Sequence, residues 1–437
     1  MRTSVFCMLT VLILAVSANS RELTLTQALQ LAQENAQQLR AAEAQSEAAT
    51  SAIRAAVAQR FPTLTLSSSA RYSSEIATLD IELPPPLNAH LSRELGSKDT
   101  YQTDLRLTMP VYTGGRISSA VTAARAAGHY SLASRDALRR AVMLQTHLEY
   151  LAVIQSMKTL QVAQASLSRS QIVSDDIANR LKAGTADSVA FIEAALGGNT
   201  ARMAVTAAEA YLDQSWLDLK RTLGIDGDET ITLSDSLPTP EPLSPRPELD
   251  PLSRPEARRA SAAVELAKSQ RRAALSEYLP TVAAYGGYSV GRPNIDPFAD
   301  AWNDNFTVGG QLSWTFNVGG RAASKVGNAA WLLRSAEYQR QQVEDDLTRE
   351  QLLAASQLKL AYSRYLSSIE ALRLAADNYR IASHAHRQGV LPSNRLLEIE
   401  SLLTSAELAK EIASVQYHMA TARYYFASGS DKLNEGF

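Results

Sequence analysis

Apolar residues recur along this chain with two different periods, and the changes of period predict its elements. Residues 24–60 carry alanine and leucine at helical spacing, with Thr26 as the expected N-cap. From Thr63 to Tyr72, and again from Tyr101 to Val111, apolar and polar residues alternate, which predicts two strands. Each would have about ten residues, the length that a tilted membrane-spanning strand needs. Residues 74–100 contain three consecutive prolines and mixed charges, which predicts a loop.

A pair of long helices follows the second strand. The helical pattern runs without proline from Arg116 to about Leu181. A turn at Gly184-Thr185 and a cap at Asp187 then predict a return helix, which Gly224 ends. Coiled-coil spacing on the first helix predicts a packing seam at Ala141, Leu144, Leu148 and Leu151.

The same plan recurs 205 residues later, which indicates a tandem duplication. Three glycine landmarks have partners at this separation, in the pairs Gly114 and Gly319, Gly184 and Gly389, and Gly224 and Gly429. The second half predicts a helix from Pro255, a strand near 282–290, a loop around Pro293 and Pro297, a strand over 306–318, and two further long helices. We therefore expect a signal peptide at residues 1–20, a first repeat at 21–224, an irregular proline-rich connection at 225–253, a second repeat at 254–429 and a tail at 430–437.

Composition and the N-terminal segment narrow the class of protein. The chain has 437 residues, a formal net charge of −2 and 45% hydrophobic residues, which excludes a disordered chain and a nucleic-acid binder. Residues 1–20 combine Arg2, an apolar run and small residues, as in an export signal peptide. Cys7, the sole cysteine, lies in that segment, so we expect no thiol chemistry in the exported chain.

The residues after the signal segment offer no transmembrane helix and no catalytic constellation. Since no window there has eighteen consecutive apolar residues, the exported chain is either soluble outside the cytoplasm or crosses a membrane as strands. The Gly-Gly-Arg segments lack the lysine of a phosphate-binding loop. His384 and His386 would point to different sides of a helix, so we expect solvated histidines and no metal site. We expect no enzyme activity and no cofactor, and packing roles for Tyr362, Tyr365 and Tyr379.

The four predicted strands are too few for a barrel, because about eight is the smallest number that closes one. An unpaired strand edge is prohibitive in lipid, where unsatisfied backbone groups cost several kcal/mol each. The strands must therefore close with those of other copies, and three copies of four strands would supply twelve.

The order of these elements resembles the outer-membrane efflux proteins of the TolC type over residues 23–429. The most specific parts of this resemblance are Pro110-Val111-Tyr112-Thr113-Gly114-Gly115-Arg116 and the segment from Gly389 to Glu398. The resemblance implies a membrane protein of mixed α and β structure that forms a homotrimer. The three copies would share one 12-stranded β-barrel in the outer membrane, to which each copy contributes four strands. That barrel would continue through the periplasm as a long α-helical coiled-coil barrel.

The resemblance also implies a function. The trimer would be the passive exit duct of a tripartite export system that carries small molecules such as drugs and metabolites. It would dock to a periplasmic adaptor and to an inner-membrane pump of the RND or ABC type. Two alternatives stay open, a type I protein-secretion duct and a periplasmic coiled-coil scaffold without a pore.

Four groups of residues receive roles from the resemblance. The two helical turns would be periplasmic tips that contact the adaptor, through Gly184, Thr185, Ala186, Gly389, Val390 and Leu391. Acidic residues often ring the pore mouth of family members. Here Glu398 occupies one such position and Arg395 the other, and a ring of arginines would repel cations. The same two residues also fit an exposed ion pair one turn apart.

The other two groups belong to the strands and their ends. Pro110 is expected to help end strand pairing, and the junction of barrel and tunnel would comprise Pro110, Gly114, Gly115, Arg116, Gly319, Gly320 and Arg321. The side chains expected to face lipid are Leu105, Leu107, Leu312 and Trp314.

Overall fold

The computed structural model describes residues 21–185, 187–226, 229–235, 237–243, 253–296 and 299–434. The expected signal peptide, Ala186, Pro297 and much of the proline-rich connection lie outside these ranges. The helices are α1 (Leu25–Asn35), α2 (Gln37–Ala58), α3 (Arg116–Lys182), α4 (Ser188–Leu223), α5 (Pro255–Leu275), α6 (Arg321–Arg387) and α7 (Ser393–Ala427). The strands are β1 (Arg21–Leu23), β2 (Thr63–Tyr72), β3 (Ala77–Glu82), β4 (His90–Leu95), β5 (Asp99–Tyr112), β6 (Ile231–Leu233), β7 (Thr281–Arg292) and β8 (Asn303–Ser313).

The chain forms two compact units, each built from several stretches of sequence. The hairpin unit comprises the described parts of Met1–Ala41, Asp136–Arg254 and Asp345–Phe437. The sheet unit comprises Ala42–Arg135 and Pro255–Glu344.

The sheet unit contains an antiparallel sheet in the order β2-β5-β7-β8. Because side chains alternate between faces, its register gathers the apolar residues on one face. One row of this face runs across all four strands, through Leu66, Leu105, Tyr288 and Phe306. The row beside it contains Leu64, Leu107 and Val308, and all of these side chains are exposed in the single chain. The sheet therefore has an exposed apolar face and two open edges, β2 and β8.

Two predictions about the sheet unit are wrong. Residues 74–100 are not a loop, since β3 and β4 pair there as a hairpin around the prolines. The last strand ends at Ser313 and not near Val318, because Ser313 pairs with Thr281, the first residue of β7. Near Pro110, which is expected to help end pairing, β5 no longer pairs with β2, and its pairing with β7 becomes irregular and ends at Tyr112.

The hairpin unit packs its long helices around a core near the chain start. Tyr150 is fully buried there, and its hydroxyl donates to the carbonyl of Leu23 (3.1 Å) and lies 3.0 Å from the Asp235 carboxylate. The core contains Leu25, Leu29, Met143, Leu151, Leu219, Leu223 and Val415 among others.

Two details of the hairpin unit differ from prediction. The N-cap of α1 is Thr24 instead of Thr26, because Thr24 and Gln27 form a reciprocal capping box. The proline-rich connection is not wholly irregular, since β6 pairs in parallel with β1.

The duplication is visible in the helices themselves. Helices α3 and α6 both have 67 residues, and they begin 205 positions apart at Arg116 and Arg321. Helices α4 and α7 begin at Ser188 and Ser393, again 205 apart. The long helices of the two halves therefore share one backbone plan.

Candidate functional site

The two helical turns of the hairpin unit have the same backbone geometry. Gly184 and Gly389 have φ values of +72° and +77°, where a side chain would be strained. At the first turn, the amide of Thr185 donates to the carbonyl of Arg180 (2.8 Å). At the second turn, the amide of Val390 donates to the carbonyl of Ala385 (3.0 Å). Both turns are Schellman motifs, which end α3 and α6 and let the chain reverse its direction.

Contacts between side chain and backbone join the two tips. The guanidinium of Arg180 donates to the carbonyl of His386 (3.3 Å), so the two turns lie at the same level of the hairpin unit. Asp176 lies beside both residues. The distance from its Oδ2 is 2.8 Å to Nε of Arg180 and 3.3 Å to Nε2 of His386. The other ring nitrogen of His386 lies 2.9 Å from the carbonyl of Leu391.

His386 is therefore not the solvated residue that its sequence context predicts. It is only 4% exposed, whereas His384 is exposed, so the prediction is wrong for the first and right for the second. The two rings face different surroundings, as their spacing of two requires. Among the residues that the structure describes, no cluster of histidine, cysteine, aspartate and glutamate could hold a metal ion.

The proposed mouth residues Arg395 and Glu398 lie on the first turns of α7. They form an ion pair with each other, and their side chains are 50% and 59% exposed. This is the exposed pair, one helical turn apart, that the sequence also allowed. Because each charge has an opposite charge beside it, Arg395 does not present an isolated positive charge within this chain.

A half-buried ion network lies close to that pair, and sequence reasoning missed it. Arg169 of α3 binds two carboxylates of α7, with Nε 3.1 Å from Glu400 and Nη2 2.8 Å from Glu407. Ser166 and Thr404 also donate to Glu400. Burial alone would lower the pKa of Arg169, but the hydrogen bonds and charges of Glu407 and Glu400 outweigh it and raise that pKa. The network fixes α3 against α7.

An apolar cluster adjoins this network and joins all four long helices near the tips. It also explains the packing role expected for Tyr379, whose ring lies against the cluster. Its buried members are Val173 and Ile177 of α3, Ala194 of α4, Ala382 of α6, and Leu396 and Ile399 of α7.

The two strand–helix junctions share a plan and differ in their contacts. Gly114 has a φ of +61°, and a Cβ added to it would lie 2.8 Å from Cβ of Leu279 and 3.1 Å from the carbonyl of Ser276. Gly319 has no heavy atom within 4 Å of such a Cβ. Arg116 and Arg321 begin the long helices immediately after the glycine pairs, whose second members Gly115 and Gly320 both have positive φ.

The residues expected to face lipid separate into two groups. Leu105, Leu107 and Leu312 lie on the apolar face of the sheet. Trp314 lies beyond the end of β8, where its indole N–H donates to the carbonyl of Tyr278 (3.2 Å). Across the described part of the chain, no helix has both the length and the apolar character needed to cross a bilayer.

A sequence profile of the family described as outer membrane efflux protein matches residues 28–225 and 252–430. The chain belongs to this family. As a member of the outer membrane efflux protein family, it is a protein of the cell outer membrane that extends into the periplasm. Comparison with curated protein sequences gave no significant match.

Solved structures share the whole fold of this outer membrane efflux protein. A membrane protein from Pseudomonas aeruginosa has a TM-score of 0.80 at 19% identity, covering 93% of each chain. CusC, crystallised in a study of folding and transmembrane channel formation, has a TM-score of 0.79 at 16% identity, covering 94% of this chain and 92% of its own. The outer membrane protein VceC from Vibrio cholerae has a TM-score of 0.77 at 16% identity, covering 93% and 96%. The predicted fold class, a sheet of four strands continued by duplicated long helices, is confirmed.

Proposed function

We propose that three copies of this chain form a passive exit duct that carries small molecules through the periplasm and the outer membrane. An inner-membrane pump of the RND or ABC type drives the transport through a periplasmic adaptor, and the duct itself catalyses no reaction. The observation that carries the proposal is the open four-stranded sheet with one apolar face.

The two open edges of the sheet favour closure with other copies. In lipid the unpaired backbone groups of β2 and β8 would each cost several kcal/mol, so a single chain is not a stable membrane structure. Strand β2 has 10 residues and β8 has 11, so each can pair with the other edge of a neighbouring copy. Three copies of a four-stranded sheet give twelve strands, enough for a closed barrel with an aqueous interior.

The apolar face then meets lipid. Leu105, Leu107 and Leu312 share that face, and Trp314 follows the strand end, where an amphipathic aromatic suits the membrane–water interface. In this arrangement the glycine pairs at Gly114 and Gly319 turn the chain from the barrel into the helical tunnel.

The tips are the proposed contacts of the adaptor. Val390 is 76% exposed next to Gly389, and Thr185 is exposed next to Gly184, so both turns present small surfaces suited to a protein partner. Leu391 supports the second turn from within, since its carbonyl lies against His386. Ala186 completes the proposed contact set and lies outside the described residues.

Conductance across planar bilayers tests the duct and its mouth together. The purified protein should require detergent, have the mass of a trimer and form channels. Arg395→Asp would convert the paired charges at the mouth into two acids in each copy, so we expect a shift toward cation selectivity and block by divalent cations. Arg349→Asp, which alters an exposed arginine paired with Asp346 elsewhere, is the matched control and should leave selectivity unchanged. A protein that stays soluble without detergent and forms no channel would refute the duct.

The cargo class requires a separate assay in cells. Cells that lack their own exit ducts should accumulate less of a fluorescent small molecule when this chain and its pump are restored. Export of a large polypeptide without any change in dye accumulation would instead assign the chain to protein secretion.

A further inference from the structure

Arg106 of β5 is a charged residue at the level of the apolar face. It lies between Leu105 and Leu107 in the chain, and successive side chains of a strand point to opposite faces. Because the two leucines lie on the apolar face, Arg106 lies on the polar face at the same level. An ionisable residue at membrane depth is costly unless it faces water, and such residues mark ion and substrate pathways.

The polar face of the sheet has a net positive charge. In the four strands, every residue of which the structure describes, its charged side chains are Arg71, Asp104 and Arg106. Each copy therefore contributes one net positive charge to this face, although the chain as a whole has a net charge of −2. Arg71 lies at the outer end of β2, beside Tyr72, so Arg106 is the arginine at the level of the apolar residues.

The Arg106 guanidinium is available to a ligand. Its side chain is exposed, and it forms no ion pair with any carboxylate of the described residues. The nearest acid on the same face of β5 is Asp104, which is half-buried and accepts a hydrogen bond from the Gln102 amide (3.0 Å). The negative charge on this face is thus engaged within the sheet, whereas the positive charge of Arg106 is open to solvent.

An aromatic ring and a glycine define where the Arg106 guanidinium lies. Its Cζ lies over the ring of Tyr285, 5.7 Å from the ring centroid. The Tyr285 ring lies across Gly309, since a Cβ added to that glycine would be 2.7 Å from the Tyr285 Oη and 2.8 Å from its Cζ. Gly309 therefore leaves the space that the ring occupies, and the ring supports the guanidinium from one side.

A second glycine leaves space beside Arg106. One row of the polar face runs through Thr65, Arg106, Gly287 and Thr307. A Cβ added to Gly287 would lie 3.2 Å from Oγ1 of Thr307, so this hydroxyl lies close to the position that a side chain would take. A guanidinium fork next to threonine hydroxyls suits the oxygen atoms of a carboxylate, sulfonate or phosphate group.

We propose that Arg106 makes the barrel lumen select anions and gives cargo with such groups a transient binding site. The inference rests on the proposed trimeric duct and names the class of small molecule that the barrel favours. Three copies place three Arg106 guanidinium groups around one lumen at one level, and rings of arginine or lysine favour anions. The lipid behind the strands has a low dielectric constant, which strengthens the field that these charges exert inside the barrel.

Reversal potentials across planar bilayers in a potassium chloride gradient test the selectivity of the full chain. The channel should pass chloride in preference to potassium, and Arg106→Gln should lower the permeability ratio of the two ions, because the polar face then has no net charge. Arg106→Lys keeps the charge and should keep the ratio. Thr65→Gln, in the same row, changes the bulk of the lumen without changing its charge and is the matched control, which should also keep the ratio.

Block by a multivalent anion tests the binding site itself. Pyrenetetrasulfonate, added on the side of the outer ends of the strands, should reduce the current through the unaltered channel. Arg106→Gln should weaken this block by about tenfold or more, since the anion loses hydrogen bonds from a charged group. Thr65→Gln should not weaken it to that extent.

The outcomes separate this inference from the proposed function. A lower permeability ratio and a weaker block in Arg106→Gln, with both properties kept in Thr65→Gln, support the site. A channel whose ratio and block do not change in Arg106→Gln refutes the site and leaves the proposed duct standing. A block that disappears in Arg395→Gln and persists in Arg106→Gln assigns the selecting charge to the mouth and also refutes the site. A protein that forms no channel refutes both proposals. Since Arg106 is exposed, its substitutions should not prevent folding.

Discussion

Gly114 and Gly319 occupy the same position in the two repeats, yet only Gly114 has close neighbours. In Gly114→Ala, the new Cβ would lie 2.8 Å from Cβ of Leu279, and neither atom is the end of a flexible side chain. The positive φ costs an alanine about 1–2 kcal/mol, and overpacking of this kind costs about 1–3 kcal/mol. Partial relaxation of the neighbours reduces the sum, so we expect the free energy of unfolding to fall by about 2–4 kcal/mol.

Gly319→Ala is the matched control for this prediction. Its Cβ would meet no heavy atom within 4 Å, and its backbone is not in the positive-φ region. We expect the free energy of unfolding to change by less than about 0.5 kcal/mol. Both variants should be unfolded by denaturant in detergent at one protein concentration, because dissociation of an oligomer makes its stability depend on concentration. Equal losses at the two positions, or no loss at Gly114, would refute the assignment of different roles to the two junctions.

Three further predictions address the membrane face, the ion network and pH. Leu107→Arg should weaken folding into lipid vesicles by about 2–4 kcal/mol, and Thr108→Arg on the opposite face should be tolerated; equal effects would contradict a lipid-facing side. Arg169→Met leaves the carboxylate of Glu400, which is 9% exposed, without its charged partner and should cost about 1–3 kcal/mol of unfolding free energy, whereas Arg373→Met, at an exposed ion pair, should cause no measurable loss. Burial lowers the pKa of His147 below 6.5, despite the hydrogen bond to the Leu433 carbonyl that raises it. The unfolded chain therefore binds the proton at a higher pH than the folded chain does, and the stability of the fold should decrease as the pH drops below about 6.5. With His147→Gln, the thermal unfolding midpoint should depend less on pH between pH 7.5 and 5. An equally steep dependence on pH in this variant would contradict the prediction.

The long helices were predictable because their signals are local. Apolar periodicity identifies α3 and α6, and glycines that adopt positive φ end them at Gly184 and Gly389. Each signal lies within a few residues of the feature it specifies. The separation of 205 residues then strengthens every assignment, since an element found in one half predicts its counterpart in the other.

The hairpin of β3 and β4 was missed because its signal is short and lies beside a stronger one. Residues 77–82 alternate between apolar and polar, as a strand does, but this pattern covers only six residues. The three prolines Pro84-Pro85-Pro86 follow this pattern closely, and they are a stronger signal that predicts a loop for the whole segment. The prolines occupy the connection between the two strands, where they break no pairing.

The end of β8 and the burial of His386 depend on partners that no local pattern reveals. The alternation continues to Val318, but β7 offers no residue for pairing beyond Ser313. Helical spacing places His384 and His386 on different sides of α6, and it does not reveal which side meets Asp176 of α3. Both outcomes are set by contacts between segments far apart in the chain.

The exchange of side chains between the two repeats decides where the ion network of Arg169 forms. Leu374 stands where the first repeat has Arg169, and Ala195 stands where the second has Glu400. The positions equivalent to the contact between Arg169 and Glu400 therefore carry two apolar residues, so this charged contact forms in one combination of repeats, between α3 and α7. Such a contact contributes position more than stability. The duplicated halves thus keep one plan for their long helices, and the exchanged side chains give each pair of helices its own contacts.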